Sequence, residues 1–434
     1  MTAIHPLQSI SGAVSGDAAG AGRSPLVLLL AAVLFINYVD RGVLPTAAQL
    51  MQEDLHLTAS QLGLLGSAFF WTYAFIQIPV GWLAERVGAG RVLAAGLVIW
   101  AGATLMLGVS SAFPMLILSR MLLGIGESAG FPCVSKLLAT AVPTASLGTA
   151  NGIVGFAFLF GPAVGTYVGG LLMAQFGWRS AFIVFGALSL LWLYPWSKMA
   201  PTRQAAEPRR ADAGPALLTL LKCRAVWGAG LGHFSANYAY YFVLLWLPYY
   251  LVKERGYATA EMAKLAGAAY VVTAVSALAC GWATDRYIAR GGSANFSYKG
   301  IMLVAHAGAV LCMLAMAFGP RPLAIASIFL YQLLTGAASP GVYAIPQILG
   351  GAEATGRWVG IQNSLANLAG VVAPAVTGSI IDATGHFTAA FVLSAAVSLL
   401  GIIGWIGMLP DIAPIDWRAR AVPPAAAPLA NKIC

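Results

Sequence analysis

Four charged residues interrupt long apolar stretches of this 434-residue sequence. Asp40 and Arg41 are adjacent, whereas Arg120 and Glu127 stand seven residues apart in another apolar stretch. Arginine presents a planar, permanently protonated fork that can hold a carboxylate through two hydrogen bonds. Asp and Glu can exchange protons, because burial favours the neutral acid while a nearby guanidinium favours the carboxylate. These side chains could therefore bind an organic anion and take up or release protons beside it.

The composition indicates that lipid surrounds the elements that carry these residues. Hydrophobic residues make up 59% of the sequence and charged residues only 9%, against about 25% charged residues in soluble proteins. About 20 apolar residues cross a hydrocarbon core of ~30 Å. Runs of that length predict twelve transmembrane helices, near 25–49, 61–83, 91–111, 113–139, 147–174, 179–199, 225–252, 262–284, 299–319, 322–350, 356–381 and 387–409.

The two sets of six runs resemble each other. Gly81-Trp82-Leu83-Ala84-Glu85-Arg86 recurs as Gly281-Trp282-Ala283-Thr284-Asp285-Arg286, and Asn151 and Pro162 recur 212 residues later as Asn363 and Pro374. Such parallel repeats are typical of transporters built from two related halves. The expected fold is an all-α membrane protein with two pseudo-symmetric six-helix bundles, 25–199 and 225–410. A linker, 200–224, joins the bundles, and tails occupy 1–24 and 411–434.

Lysine and arginine indicate the orientation. If residues 1–24 lie inside the cell, seventeen of the 24 Lys and Arg residues fall in inner segments and five in outer ones. An excess of basic residues marks the cytoplasmic face of a membrane protein. Both tails and the linker are therefore expected to be cytoplasmic. The net charge of +9 has this explanation too, so no nucleic-acid partner is expected.

The buried charges are costly, which limits what surrounds them. Each costs about 2.5–3.5 kcal/mol on insertion scales, so the four are expected to face an internal cavity and one another. Arg120 and Glu127 share one helix face, about 10 Å apart along the axis at 1.5 Å per residue. The alternative is an ion-pair network that only joins helices, but apolar replacements of such networks are often neutral or stabilising. A functional site is favoured.

Several motifs resemble the major facilitator superfamily over roughly residues 25–410. Gly81-x-x-x-Glu85-Arg86-x-Gly88-x-x-Arg91 is similar to its signature loop, with Glu where Asp is usual. Further motifs resemble the anion:cation symporters within it, a group that includes bacterial sugar-acid/proton symporters and, more distantly, sialin and the vesicular glutamate transporters. These motifs are Asn37-Tyr38-Val39-Asp40-Arg41, Arg120-x6-Glu127, Trp246-Leu247-Pro248-x-Tyr250 and Asn367-Leu368-Ala369-Gly370.

The resemblance implies roles for particular residues. It implies that Tyr38, Tyr73 and Asn367 contact substrate beside Arg41 and Arg120, although Tyr73 could equally be a packing residue. From their polarity alone, three residues of the second half could meet substrate hydroxyl groups: Asn237, Tyr241 and Gln332. Asp40 and Glu127 are the candidates for proton coupling. The resemblance implies that charged residues at the inner helix ends hold the inner gate closed. Alternatively, they only anchor the helix ends at the cytoplasmic face. These residues are Glu85, Arg86, Arg91, Asp285 and Arg286.

The expected function is proton-coupled uptake of a small organic carboxylate by alternating access, with a sugar acid or related monocarboxylate as substrate. The stretch Phe156–Phe160 is apolar, whereas the sugar-acid symporters are expected to have a glutamine there that recognises hydroxyl groups. Aromatic acids are therefore an alternative substrate class. An exporter, antiporter or anion exchanger of aromatic or dicarboxylic acids is the first alternative, and a non-transporting membrane sensor is the second. No enzymatic motif, metal-ligand cluster or cofactor site is recognised. A monomer in a bacterial inner membrane is expected.

Overall fold

The computed structural model describes residues 25–141, 147–199, 215, 217–415 and 417, and its regular secondary structure is helical. The first half contains α1 (Pro25–Leu55), α2 (Ala59–Leu83), α3 (Ala89–Val109), α4 (Phe113–Glu127), α5 (Gly130–Ala141), α6 (Leu147–Phe176), α7 (Trp178–Leu191) and α8 (Leu193–Met199). The second half contains α9 (Leu217–Leu221), α10 (Arg224–Lys253), α11 (Thr259–Ala289), α12 (Ala294–Phe318), α13 (Arg321–Thr384) and α14 (Thr388–Ile402). A π-helical turn, Ala84–Gly88, joins α2 to α3, and another, Ile403–Met408, extends α14.

Many of these helices can cross a membrane. Within the described residues, nine segments are long and apolar enough: Pro25–Leu55, Arg86–Val109, Gly152–Phe176, Trp178–Met199, Thr259–Ala289, Ala294–Phe318, Arg321–Gly351, Trp358–Thr384 and Thr388–Met408. The other predicted runs, 61–83, 113–139 and 225–252, are covered by α2, by α4 with α5, and by α10. The all-helical membrane class is thus confirmed, whereas the count of twelve spans and the two-bundle layout stay predictions.

The predicted helix 113–139 is broken in the structure, and the break has a local cause. Helix α4 ends at Glu127 and α5 begins at Gly130. The Ser128 N–H donates to the Gly124 carbonyl at 3.1 Å, and the Ser128 hydroxyl donates to the Ile125 carbonyl at 2.6 Å. Glycines cost helix stability and serine offers the backbone an alternative hydrogen bond, so the helix ends here. Glu127 therefore lies at a helix end.

Two other predicted boundaries differ. Residues 351–355, predicted as a loop, are helical, and only Gly351 leaves helical geometry, with φ 57. Glycine adopts positive φ without strain, so the chain turns there within one continuous run. The predicted tail 411–434 begins as a packed segment, because the Ile415 N–H donates to the Leu349 carbonyl at 3.0 Å. Trp417 Nε1 likewise donates to the Gly350 carbonyl at 3.0 Å. Residues 1–24 and most of the linker, 200–214, lie outside the described residues.

The helix that carries Asp40 and Arg41 packs closely on α6. A Cβ at Gly161 would lie 2.7 Å from Tyr38 Cβ, and one at Gly165 would collide with the Val39 carbonyl. Glycine is required at both positions because only it lets the two backbones approach this closely. Gly161–Gly165 is thus the place where α6 supports the polar segment of α1.

The two halves meet most closely at one end of the molecule. We call it the hairpin end, because the short connections 56–58, 177, 254–258 and 385–387 lie there; the linker end is the opposite one. At the hairpin end α2 packs on α13 and α6 packs on α11. Added Cβ atoms would collide there across the halves at Gly63 and Gly170. Near the linker end, Cβ atoms at Gly81 and Gly152 would meet nothing within 4 Å.

Candidate functional site

Arg41 and Glu127 form an ion pair that joins α1 to α4. Arg41 Nη2 lies 3.2 Å from Glu127 Oε2, and the two side chains are 9% and 0% exposed. Within the described residues, Arg41 Nε and Glu127 Oε1 are buried without a hydrogen-bond partner. Leaving a buried polar atom without a hydrogen-bond partner is energetically costly. Arg41 Nε can therefore still donate a hydrogen bond, and Glu127 Oε1 can still accept one. The sequence places Arg120 on the same helix face as Glu127; in the structure the hydrogen-bonded partner of Glu127 is Arg41.

Aromatic rings surround the same guanidinium group. Arg41 Cζ lies 4.3 Å from the ring centroid of Tyr38, 4.8 Å from that of Tyr73 and 4.9 Å from that of Phe69. Phe69 also lies 5.1 Å from Arg120 Cζ, so a single ring contacts both cations. Cation–π contacts stabilise a guanidinium where water is excluded. The rings therefore hold Arg41 in place without neutralising its charge.

The other two charges contact neutral partners. Arg120, 8% exposed, donates through Nε to the Leu65 carbonyl at 3.1 Å, which ties α4 to α2. Asp40, 4% exposed, accepts through Oδ2 from the Thr104 hydroxyl of α3 at 3.3 Å. Asp40 Oδ1 is buried without a partner among the described residues. No sequence signal identifies Thr104 or the Leu65 carbonyl, since a lone hydroxyl in an apolar run and a helix carbonyl are both ordinary.

A small cavity brings three of the four charges together. It is lined by Asp40, Arg41, Arg120 and Tyr241 and by eight less polar residues: Leu44, Pro45, Gly66, Phe69, Phe70, Leu244, Leu245 and Pro374. Its volume is about 40 Å³, which is room for a few water molecules. Ligand pockets of proteins are usually about 300–1,000 Å³. An organic acid therefore needs the surrounding helices to move before it fits between the arginines.

The remaining predicted binding residues are spread over the second half. Tyr241 lines the cavity, and its hydroxyl donates to Asn367 Oδ1 at 3.2 Å. Asn237 Nδ2 donates to the Ala366 carbonyl at 3.4 Å, so both amides help to join α10 to α13. Gln332 is fully buried, without a hydrogen-bond partner in the described part of the chain, and does not line the cavity. Of these, only Tyr241 contacts the cavity in this conformation.

The predicted gating residues lie at the linker end. Arg86, Arg91, Asp285 and Arg286 are exposed there, and the Glu85 side chain lies outside what the structure describes. Arg286 Cζ lies 5.4 Å from the Trp282 ring within its own helix. In the described part of the chain, no ion pair connects Arg91 or Arg286 to the other half. The gating role therefore stays a prediction for another conformation.

A family model connects this geometry to known proteins. The model described as Major Facilitator Superfamily matches residues 30–374. The chain belongs to the major facilitator superfamily. Members of this superfamily are membrane transporters, which accords with the apolar helices and the buried charges around a cavity. The protein is therefore a transporter and not an enzyme, and it is embedded in the membrane.

Relatives within the superfamily carry names of organic-anion transporters. The chain is 30% identical over 400 residues to a protein of Cupriavidus necator named a probable sulfoacetate transporter, covering 88% of this chain and 92% of that one. It is 29% identical over 407 residues to a hexuronate transporter of Bacillus subtilis, covering 90% and 95%. These matches confirm the resemblance to anion:cation symporters.

A solved structure shares the fold. A bacterial homologue of the human lysosomal transporter Spinster, in an inward-facing and unoccupied conformation, superposes with a TM-score of 0.73. The two chains are 18% identical, and the superposition covers 88% of this chain and 95% of the other. At this identity the likeness concerns the fold alone. It supports the helical architecture described above.

Proposed function

We propose that this transporter takes up a small organic carboxylate together with protons, by alternating access across a bacterial inner membrane. The observation that carries the proposal is the Arg41–Glu127 ion pair beside a cavity that Arg120 also lines. Two arginines supply the sites for the anion, and a carboxyl group already bound to one of them supplies the site for the proton.

The ion pair gives a physical basis for coupling. A substrate carboxylate that binds Arg41 competes with Glu127 for the same guanidinium group. Glu127, once released, is a carboxylate that has lost its hydrogen-bonded cation in a nearly dry site, and this loss favours protonation. By reciprocity, protonation of Glu127 frees Arg41 and favours the anion. Asp40, which lines the cavity, is a second proton acceptor, and its hydrogen-bond partner is the neutral Thr104.

Two substrate classes have separate support. A relative named for hexuronate supports a sugar acid. The lining supports an acid with an apolar or aromatic body, because Phe69, Phe70 and Leu244 face the cavity while Asn237 and Asn367 already have partners. Buried hydroxyl groups without partners would cost about 1–3 kcal/mol each. The sugar acid is our first candidate and the aromatic acid our second.

The orientation follows from the basic residues. The excess of Lys and Arg at the linker end favours its location in the cytoplasm, with both tails beside it. With that orientation, the closed hairpin end faces outward and the molecule is inward-facing. We propose twelve spanning helices in two bundles that rock about the cavity. Outward opening would bring the linker end together, where Glu85, Arg86, Arg91, Asp285 and Arg286 would meet.

Transport by purified protein in proteoliposomes tests the proposal. Labelled glucuronate and labelled benzoate are supplied outside at equal concentration, with an inward proton gradient, no gradient, or a gradient collapsed by a protonophore. Symport predicts accumulation only with the intact gradient, above the outside concentration and above the level in protein-free liposomes, because benzoic acid also crosses a bilayer unaided as the neutral acid. An exchanger would move label only when acid is preloaded inside, and an antiporter would need the opposite gradient. A sensor would bind acid without moving it, and each of these three results would overturn the proposal.

A further inference from the structure

A carboxylate of the second half binds the start of a helix in the first half. Asp382, near the end of α13, accepts from the Ala59 N–H through Oδ1 and from the Ser60 N–H through Oδ2, both at 2.8 Å. Ala59 and Ser60 are the first residues of α2. The contact lies at the hairpin end, and more than 320 residues separate its partners along the chain.

The cap of α2 is complete only when the halves are together. The first N–H groups of a helix have no partner within it. At α2, the Gln61 N–H donates to Thr58 Oγ1 at 3.1 Å, and Gln61 Oε1 accepts from the Thr58 N–H at 2.9 Å. This capping box satisfies one helical donor from within the first half. Asp382 satisfies the two that remain, and separation of the halves would leave both to water.

The helix dipoles favour the same arrangement. A negative charge is unfavourable at the C-terminus of a helix and favourable at an N-terminus. Asp382 lies two residues before the end of α13 at Thr384, so its charge is poorly placed for its own helix. It is well placed for α2, whose N-terminus it caps. The carboxylate therefore stabilises the closed hairpin end relative to an open one.

The pseudo-symmetric position lacks such a carboxylate. Gly170 stands 212 residues before Asp382, the same offset that relates Asn151 to Asn363. A Cβ at Gly170 would collide with Ala263 Cβ, near the start of α11. That crossing is close contact between small residues and supplies no charge. At the hairpin end, the contact between α2 and α13 thus contains a carboxylate, whereas the symmetry-related contact between α6 and α11 at Gly170 is apolar packing.

We propose that Asp382 is a gating residue of the transport cycle, which holds the hairpin end closed by capping α2 across the two halves. In each cycle the two hydrogen bonds must break before substrate can enter from that side. Further polar contacts join the halves: the Tyr249 hydroxyl donates to Gln52 Oε1 between α10 and α1, and the Ser67 hydroxyl donates to the Val371 carbonyl between α2 and α13 at 2.7 Å. The inference depends on neither the substrate nor the coupling ion.

Hydrogen–deuterium exchange of the full chain in proteoliposomes tests this inference. Asp382→Ala removes both hydrogen bonds, and Asp382→Asn keeps one acceptor oxygen. The matched control is Glu254→Gln, because Glu254 Oε2 accepts from the Phe387 N–H at 3.1 Å and so caps α14 within one half. The decisive peptides are 259–267, at the other contact between the halves, and 81–90, at the linker end. A residue with a purely local role would change neither peptide.

If Asp382 holds the gate, Asp382→Ala raises exchange in 259–267 about three- to tenfold, in line with the effect of losing a charged helix cap, and lowers it in 81–90. Asp382→Asn gives a smaller change in the same directions, and serves alone if the alanine variant does not fold. Glu254→Gln changes only the peptide around Phe387. Faster exchange confined to 58–62 would make Asp382 a local cap, and equal changes in the Glu254 control would indicate general loosening; either result overturns the proposal.

Discussion

At the scale of single residues, Arg41 has the most contacts of the four buried charges. It bonds Glu127 and lies within 5 Å of three ring centroids, those of Tyr38, Tyr73 and Phe69. A planar guanidinium can stack on rings and still present two N–H groups to a carboxylate. A lysine ammonium would keep the positive charge, but it could neither stack flat on the rings nor bind a substrate carboxylate through two parallel hydrogen bonds. The shape of this side chain is therefore as important as its charge.

We predict that Arg41→Ala and Arg120→Ala each abolish uptake, and that Arg41→Lys restores less than about a tenth of it. Initial uptake rates in proteoliposomes measure this, and Arg290→Lys, at an exposed position of the linker end, is the matched control. Near-normal affinity in Arg41→Lys would mean that charge alone suffices at this position.

Glu127 gives a second prediction at this scale. Glu127→Gln has nearly the shape of the protonated acid, so binding and exchange of substrate across the membrane should continue. Proton-driven accumulation should fail, because the carrier can no longer release its proton inside and return empty. Counterflow and gradient-driven uptake in the same proteoliposomes separate the two activities, with Asp411→Asn as an exposed control. Retention of both activities would assign coupling to Asp40, and loss of both in a folded variant would show a structural role.

At the scale of helices, the packing of α1 on α6 fixes the position of the site. Tyr38, Asp40 and Arg41 belong to α1, and Gly161 of α6 faces Tyr38 Cβ and the Phe35 carbonyl. A methyl group there would push α1 away from α6 and displace all three side chains. The break between α4 and α5 also positions the site, because α4 ends at Glu127, the residue that binds Arg41.

We predict that Gly161→Ala lowers stability by about 1–3 kcal/mol, the usual cost of overpacking, and reduces uptake in proportion. Gly152→Ala is the control on the same helix. A Cβ there meets nothing within 4 Å, so the higher helix propensity of alanine should leave stability equal or higher by up to about 1 kcal/mol. Thermal unfolding in detergent, followed by uptake, measures both. Equal stability of the two variants would contradict close packing at Gly161.

At the scale of the whole molecule, the two ends differ. The halves touch at the hairpin end, where Asp382 caps α2, whereas glycines near the linker end have open space beside them. The cavity lies between the arginines and is too small for an organic acid in this arrangement. In the proposed cycle, the two halves move relative to each other before substrate is held between them.

The orientation in the membrane gives the prediction for this scale. A fluorescent protein fused after Cys434 should fluoresce in bacterial cells, and alkaline phosphatase fused there should be inactive, because an excess of basic residues stays in the cytoplasm. Phosphatase fused after Ala112 is the opposite control and should be active, because the connection between α3 and α4 lies at the hairpin end, where Arg179 Nη2 donates to Ser111 Oγ at 3.1 Å. Active phosphatase after Cys434 would reverse the assignment of inside and outside, and with it the inward-facing interpretation.

The sequence alone determined the class of the protein and its unusual residues. Apolar runs of about 20 residues have few other structures in lipid than a spanning helix, since every backbone group must be bonded internally. Charges within such runs are costly enough to mark a site, which is why Asp40, Arg41, Arg120 and Glu127 could be singled out. The repeat of Asn151 as Asn363 and the motifs around Arg41 and Arg120 indicated the superfamily, and the family match confirms it.

Only the tertiary structure decided which groups meet. Spacing along one helix indicated that Arg120 and Glu127 share a face about 10 Å apart, but it could not show that Arg41 of α1 reaches Glu127 of α4. Thr104 and Asp382 could not be singled out, because a hydroxyl in an apolar run and a carboxylate at a helix end are ordinary until a neighbour is known. Helix packing sets such distances, and it depends on side chains far apart in the sequence. Periodicity therefore predicts the elements, whereas the contacts between them require the fold.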